Sequence, residues 1–296
     1  MKLVVAYEAA RLAAAIRARA PELELVELRP DLDDAALADA EALVAWRMPK
    51  GVLARMPRLA WVCAAAAGVE KVLVPELASH VRVSRIVDVE QAAGIAQFVV
   101  LMALRHARDL ARYEAQQRER RWERQSTPAA RHRAVVLGTG AMGGAIVRGL
   151  EAVGFAVAGW NRRAGTTLHA VLADAELCVC ALPLTAETEG LLGAAAFAAM
   201  PDGGYLINVA RGAHVVEADL IAAVRSGHLA GAALDVQVHE PMPADDPLWS
   251  VPGITITPHV AAQSSLEVVA DQVVAGARAV AAGGSPPNAV DRARGY

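Results

Sequence analysis

The sequence predicts an α/β protein of two doubly wound domains, and three observations carry that reading. Short apolar runs alternate with stretches of helical period from the first residues onward. The alternation starts afresh after a break at Ser126-Thr127-Pro128. One run leads straight into a glycine-rich turn, Gly138-Thr139-Gly140-Ala141-Met142-Gly143, followed by an apolar helix to about Val153. At 296 residues the chain also exceeds a usual single domain.

In the first series, residues 3–6, 23–28, 43–46, 61–64 and 81–87 read as strands, with a helix over 8–20. Arg29-Pro30-Asp31 and Met56-Pro57 punctuate it as turns. A long helix is expected over about 90–124, ending before the break. The second series places strands at 134–137, 155–160, 177–182, 205–209, 232–236 and 254–257. Strands joined through helices pair in parallel and need cover on both faces. This second set has the strand count of a nucleotide-binding sheet.

Composition narrows the function. The net charge of −3, from 29 basic and 32 acidic residues, offers no field for nucleic acid or an anionic membrane. The basic stretch 105–124 also carries Asp109, Glu114, Glu119 and Glu123, so it reads as a solvated or interface helix face. Cys63, Cys178 and Cys180 are too few and too poorly spaced for a disulfide framework or a zinc cluster, so no metal is expected and a reducing cytoplasm fits. Cys178 and Cys180 would share one strand face as buried small hydrophobes. The first apolar run stops at Glu8, too short for a signal-peptide core. The run 94–104, interrupted by Gln97, falls short of the roughly 20 residues of a membrane helix and reads as a buried one.

A G-x-G-x-x-G pattern is weak alone, but a strand precedes it here and a helix follows. Gly138 would allow the tight turn, Gly140 the close approach of a pyrophosphate and Gly143 the packing of helix on strand. Backbone N–H groups at Ala141 and Met142, at the helix start, would hold the anion. An NAD site usually ends its second strand in an acid that binds both ribose hydroxyls. The chain has Gly159-Trp160-Asn161-Arg162-Arg163 there, an amide and two guanidinium groups suited to a 2′-phosphate. NADP(H) is therefore the favoured cofactor, with NAD(H) as the alternative.

Three further segments put unusual residues at strand ends: Asn208-Val209-Ala210-Arg211-Gly212, Asp235 to Pro241, and Thr257-Pro258-His259-Val260-Ala261-Ala262. In these the chain resembles the D-isomer-specific 2-hydroxyacid dehydrogenases. The tail after Val290, with Glu240-Pro241-Met242-Pro243 and Pro247-Leu248-Trp249, is most similar to the glyoxylate/hydroxypyruvate reductase A branch. The resemblance implies a catalytic set of Arg211, Glu240 and His259. It implies Asp235 against the nicotinamide carboxamide, and Leu182, Pro183, Thr188, Val209, Ala210 and Ala261 as further cofactor contacts. For the substrate carboxylate it implies the amides of Ala67 and Gly68, in the loop Ala65-Ala66-Ala67-Gly68-Val69-Glu70, with Trp46 or Arg47. Ala66 departs from a common Gly in that loop, and Gln97 from a Glu that many members carry in the helix between the domains.

The resemblance further implies a flavodoxin-like substrate domain, residues 1–92 plus 265–296, and a Rossmann cofactor domain, 93–264, with the chemistry in an interdomain cleft. A homodimer through the cofactor domain and the long helix is expected. Two other functions share such a fold. One is reduction of a larger 2-keto acid, which pocket shape decides. The other is a non-enzymatic NAD(P)-sensing regulator, against which the compact length counts.

The chemistry can be argued from residue types. Reduction of a 2-keto acid needs a hydride donor, a proton donor for the emerging alkoxide, and positive charge to orient the carboxylate. His259 suits the proton, Glu240 would orient its ring and favour imidazolium, and Arg211 would bind the keto acid. His239, next to Glu240, is the rival acid, while His214 and His228 read as ordinary polar residues. On this assignment kcat for reduction falls as pH rises, oxidation of the hydroxy acid rises over the same range, and Glu240→Gln moves the fall to lower pH. His259→Ala should lower kcat by roughly 10² to 10⁴ with little change in NADPH binding. Steady-state kinetics across pH check both, and an unmoved profile in Glu240→Gln would transfer the role to another group.

Overall fold

The structure, a computed structural model, describes residues 1–126, 132–163 and 165–295. The expected break at Thr127 and Pro128 lies outside the described residues. The chain forms two units, Met1–Asp88 with Ser264–Tyr296, and Val89–Gln263. In chain order the first unit begins with β1 (Lys2–Val5), α1 (Ala9–Arg19), β2 (Glu24–Glu27), β3 (Ala42–Ala45), α2 (Val52–Arg55), β4 (Trp61–Ala64) and β5 (Arg82–Ser84). The second holds α3 (Val89–Ala107), α4 (Leu110–Arg118), β6 (Arg133–Leu137), α5 (Ala141–Ala152), β7 (Ala156–Trp160) and α6 (Leu168–Leu172). It continues with β8 (Leu177–Cys180), α7 (Ala194–Ala199), β9 (Gly204–Asn208), α8 (Glu217–Arg225), β10 (Leu229–Leu234) and β11 (Ile254–Ile256). The chain then returns to the first unit as α9 (Leu266–Ala281).

Every pairing within the two sheets is parallel. Such sheets are buried on both faces, and β3, β4 and β8 are accordingly short, wholly buried apolar runs. The first sheet has the order β2-β1-β3-β4-β5, the doubly wound order of flavodoxin-like folds. Its core is closed by α1 and α9, whose Val269, Val273, Ala277 and Val280 return at helical spacing to one buried face. The Ser265 hydroxyl caps α9 by accepting from the Val268 amide at 3.2 Å. The second sheet has the order β7-β6-β8-β9-β10-β11, so the winding reverses between β6 and β8, where doubly wound sheets bind ligands.

Two expectations need correction. The long helix predicted over 90–124 is two helices, because Asp109 adopts φ 53 between α3 and α4. Asp tolerates the left-handed region better than most residues. Beyond it the apolar period lapses: α4 buries only Gln116, and the helix ends at Arg118. The strand predicted over 81–87 pairs only over Arg82–Ser84. Among the described residues, no helix is long and apolar enough to cross a membrane. Cys178 and Cys180 are fully buried, and burial pushes the Cys180 thiol up to about 12.

In the second unit His106 of α3 stacks on Tyr205 of β9, with ring centroids 4.2 Å apart. Burial pushes its imidazole down from 6.5 to about 4, helped by the neighbouring His132. A depressed base stabilises the fold fully above its ordinary pKa and loses that contribution as pH falls between the two values. We expect His106→Phe, which keeps the stack, to lose less stability than the parent between pH 7 and pH 4, by up to about 3 kcal/mol. Thermal melts at several pH values check this, and parallel losses would refute the linkage.

Candidate active site

Strand register brings the unusual residues together. Across the second sheet Trp160 pairs with Leu137, Leu137 with Cys180, Cys180 with Asn208, Asn208 with Leu234, and Leu234 with Ile256. The strands thus end on one row, and the next residues, Asn161, Gly138, Ala181, Val209, Asp235 and Thr257, emerge along one edge.

At the β6 end Gly138 has φ 95, and a Cβ there would lie 2.6 Å from the Ala181 carbonyl oxygen. A Cβ on Gly143 would stand 1.7 Å from the Gly138 carbonyl oxygen, so only glycine lets helix meet turn. Gly140 differs: a Cβ on it meets nothing within 4 Å. It caps α5 without a side-chain hydrogen bond, leaving the amides of the first turn, at Ala141 and Met142, for an anion. Its lack of a side chain keeps open a space that no protein atom fills, as a pyrophosphate pressed to the backbone requires. The residues present fit a dinucleotide.

At the end of β7, Asn161 accepts from the Arg163 amide at 2.9 Å and donates to Thr139 Oγ1 at 3.4 Å. Asn161, Arg162 and Arg163 are all exposed, and Arg162 is ion-paired with Glu187. After β8 Leu182 is buried and Pro183 exposed. Thr188, by contrast, is 2 % exposed, and its hydroxyl donates to the Pro183 carbonyl at 2.8 Å. That hydroxyl shapes the loop from within.

The densest constellation surrounds Asp235. Its carboxylate, 2 % exposed, accepts from Thr257 Oγ1 at 2.7 Å and from the amides of Val260 and Ala261, each at 2.9 Å. Its carbonyl accepts the His259 amide at 2.8 Å. These bonds hold His259 at φ 56, a conformation that a non-glycine residue keeps only when its surroundings impose it. His259 Nδ1 is 3.1 Å from both oxygens of Glu240. With Nδ1 engaged, Nε2 is the nitrogen that can serve a substrate.

Glu240 is positioned in turn by Gln237, whose amide N–H donates to it at 3.3 Å. The buried Gln237 side chain donates to the carbonyls of Leu234 at 3.1 Å and Thr257 at 3.4 Å, tying the loop to two strand ends. Arg211 follows β9 in extended backbone before a single 3-10 turn, Gly212–His214. A Cβ on Gly212 would stand 2.0 Å from the Gln237 carbonyl carbon, so glycine there lets the arginine turn pack on the loop that carries Glu240. Arg211, Glu240 and His259 thus belong to three segments locked through Asp235, Gln237 and Gly212. Val209 and Ala210 lead into the arginine, and Ala261 follows the histidine.

Of the other histidines, His239 is exposed and His214 fully buried. His228 lies at the opposite edge, bonded to the Phe197 carbonyl and to Asp202, which together raise its pKa. In the first unit, Trp46 and Arg47 follow β3, and Ala67 and Gly68 follow β4. The Trp46 ring has Lys71 Nζ 3.8 Å from its centroid and Arg47 Cζ at 5.5 Å. Sequence reasoning missed Gln237 and the part played by Asn208. Asn208 is fully buried; it accepts from the Ala210 amide at 3.1 Å and donates to the Arg211 carbonyl at 2.9 Å. An asparagine closing an apolar strand was the available signal for it; Gln237 offered none.

Residues 100–261 match the family model for the D-isomer specific 2-hydroxyacid dehydrogenase, NAD binding domain. The glyoxylate/hydroxypyruvate reductase A of Yersinia enterocolitica is 36% identical over 279 residues, 87% of this chain and 88% of that protein. Its counterpart in Serratia proteamaculans is 35% identical over 96% of this chain and 95% of its own. Among solved structures, a D-isomer specific 2-hydroxyacid dehydrogenase from Xanthobacter autotrophicus, in complex with NADPH and MES, superposes with TM-score 0.90 at 36% identity, over 100% of this chain and 99% of that one. An NADPH-dependent glyoxylate/hydroxypyruvate reductase from Sinorhizobium meliloti, in complex with NADP and sulfate, gives TM-score 0.91 at 30% identity over the same shares.

Asp235→Asn tests whether the buried carboxylate holds the histidine loop. It leaves one acceptor oxygen where two are engaged, and its amide would oppose the Ala261 or Val260 N–H. Turnover should fall by roughly 10²-fold, the scale of a misplaced reacting group. Kinetics on the purified variant check this, and parental turnover would show that the loop holds itself.

Proposed function

This chain belongs to the D-isomer specific 2-hydroxyacid dehydrogenases, and from that premise we propose that it reduces a small 2-keto acid, glyoxylate or hydroxypyruvate, to the D-2-hydroxy acid with NADPH. The observation that carries the proposal is the His259–Glu240 pair at the strand-end row that also bears the glycine turn. NADPH, when bound, supplies the hydride.

The first turn of α5 and the space at Gly140 receive the pyrophosphate. Asn161, Arg162 and Arg163 meet the 2′-phosphate, with Leu182, Pro183, Val209, Ala210 and Ala261 as neighbouring cofactor contacts. The pairing of Arg162 with Glu187 is no obstacle. Exposed ion pairs contribute about 0–1 kcal/mol, and an arginine gains a stronger, bidentate partner in phosphate. Arg211 binds the keto acid and polarises its carbonyl. His259 delivers the proton from Nε2 while Glu240 holds Nδ1 and stabilises the charged ring. The proposed part of the first unit is carboxylate recognition by the Ala67 and Gly68 amides, with Trp46 or Arg47.

We expect higher kcat/KM with NADPH than with NADH, and a reversal in the Asn161→Asp, Arg162→Ala double variant, mainly through NADPH KM. NADPH and NADH oxidation across a panel of 2-keto acids measures this. A preference for NADH, for branched or aromatic keto acids, or for the L product of hydroxypyruvate would overturn the proposal.

A homodimer is proposed as well. The apolar side chains Leu101 and Leu110, on α3 and α4, are 58% and 45% exposed and offer a face for a second copy. Sedimentation at micromolar concentration should give twice the 31.0 kDa chain mass; a monomer would refute it.

A further inference from the structure

We infer that His214 is a positioning residue for this reaction, its ring tying the backbone of Arg211 to the loop that follows β8. The inference rests on the function proposed above and adds to it the device that keeps the keto-acid arginine and the cofactor loop in one arrangement.

His214 is fully buried at the end of the 3-10 turn that begins one residue after Arg211. Its Nδ1 is 3.0 Å from the Arg211 carbonyl oxygen, and its Nε2 is 3.3 Å from the Pro183 carbonyl oxygen. Both acceptors are already points of convergence. The Arg211 carbonyl also receives Asn208 Nδ2 at 2.9 Å and the His214 amide at 3.2 Å. The Pro183 carbonyl also receives the Thr188 hydroxyl at 2.8 Å.

Backbone bonds join the two loops farther along. Gly190 donates to Ala213 at 2.8 Å, Leu192 to His214 at 2.9 Å and Val216 to Leu192 at 3.0 Å. Those bonds grip the loop at 190–192, whereas the ring grips it at Pro183, beside the strand end where the cofactor is proposed to lie. A leucine would fill the same volume with no polar atoms to desolvate, and burying an imidazole is unfavourable unless its nitrogens are bonded. The ring is therefore placed by its hydrogen bonds, one directed to each loop. A carbonyl oxygen only accepts and a neutral imidazole has a single N–H, so the two tethers are made together by the doubly protonated ring.

The two tethers can be cut separately, because an asparagine amide lies near the Nδ1 position and a glutamine amide near Nε2. His214→Gln keeps the Pro183 tether and loses that to Arg211. It should raise the glyoxylate KM roughly threefold to tenfold, the scale of one hydrogen bond, with the NADPH Kd within about twofold. His214→Asn should show the reverse, a raised NADPH Kd and a near-parental KM. His214→Leu should raise both and lower kcat. Fluorescence titration of NADPH without keto acid gives Kd, steady-state kinetics at saturating NADPH give KM and kcat, and melts report stability. A lowered Tm with unchanged Kd and KM in the Asn and Gln variants would overturn the inference, as would the same pattern in both. Parental protein that fails to bind NADPH would overturn the proposed function and this inference with it, whereas parental binding and turnover with uncrossed variants would overturn this inference alone.

Discussion

A carboxylate removed from water is tolerated only where donors replace its hydration, and Asp235 gathers them from a single neighbouring segment. A hydroxyl and two backbone amides, all between Thr257 and Ala261, converge on its two oxygens, while its own carbonyl takes the amide of the residue between them. The loop can satisfy the carboxylate only by folding over it, and doing so forces His259 into its left-handed conformation. Bond formation and backbone strain thus oppose each other at adjacent residues, and the charge-assisted bonds outweigh a strain of about 1–3 kcal/mol. The imidazole direction and the reach of Glu240 to Nδ1 follow from that balance.

The same row of strand ends explains why so few residues are adjustable. Each loop leaves from a register fixed by the sheet, and neighbouring loops are pressed together closely enough that glycine is required at Gly138, against Ala181, and at Gly212, against Gln237. Gln237 and Asn208 then use buried amides to stitch neighbouring loops through backbone carbonyls. Buried amides are stable only when fully bonded, so these stitches have little freedom to rearrange. Reduction by hydride transfer demands that rigidity, since reacting atoms must be held at near-contact distance.

Much of this was legible before any coordinates. The β–α alternation predicted both parallel sheets, because a buried parallel strand must be a short apolar run and its crossover must be amphipathic. The glycine turn was legible because close approach excludes every other residue. The dihydroxy-selecting acid missing after Trp160 was legible as an absence at a fixed place. The helix expected over 90–124 divides because periodicity reports a favourable face but not a single left-handed residue; Asp109 is compatible with that conformation by type, yet compatibility alone does not impose it.

Element types, the glycine turn, the identity of the strand-end side chains and the positive charge after β7 can all be read along the chain, since each depends on residues adjacent in it. Which of those side chains meet is a property of the packed fold. That Asp235 holds the histidine loop and that His214 bridges two loops depends on strand order and register. Those pairings join residues tens of positions apart, and no local propensity encodes them. They are settled only when the packed sheet brings their backbone donors and acceptors within about 3 Å, the reach of a hydrogen bond.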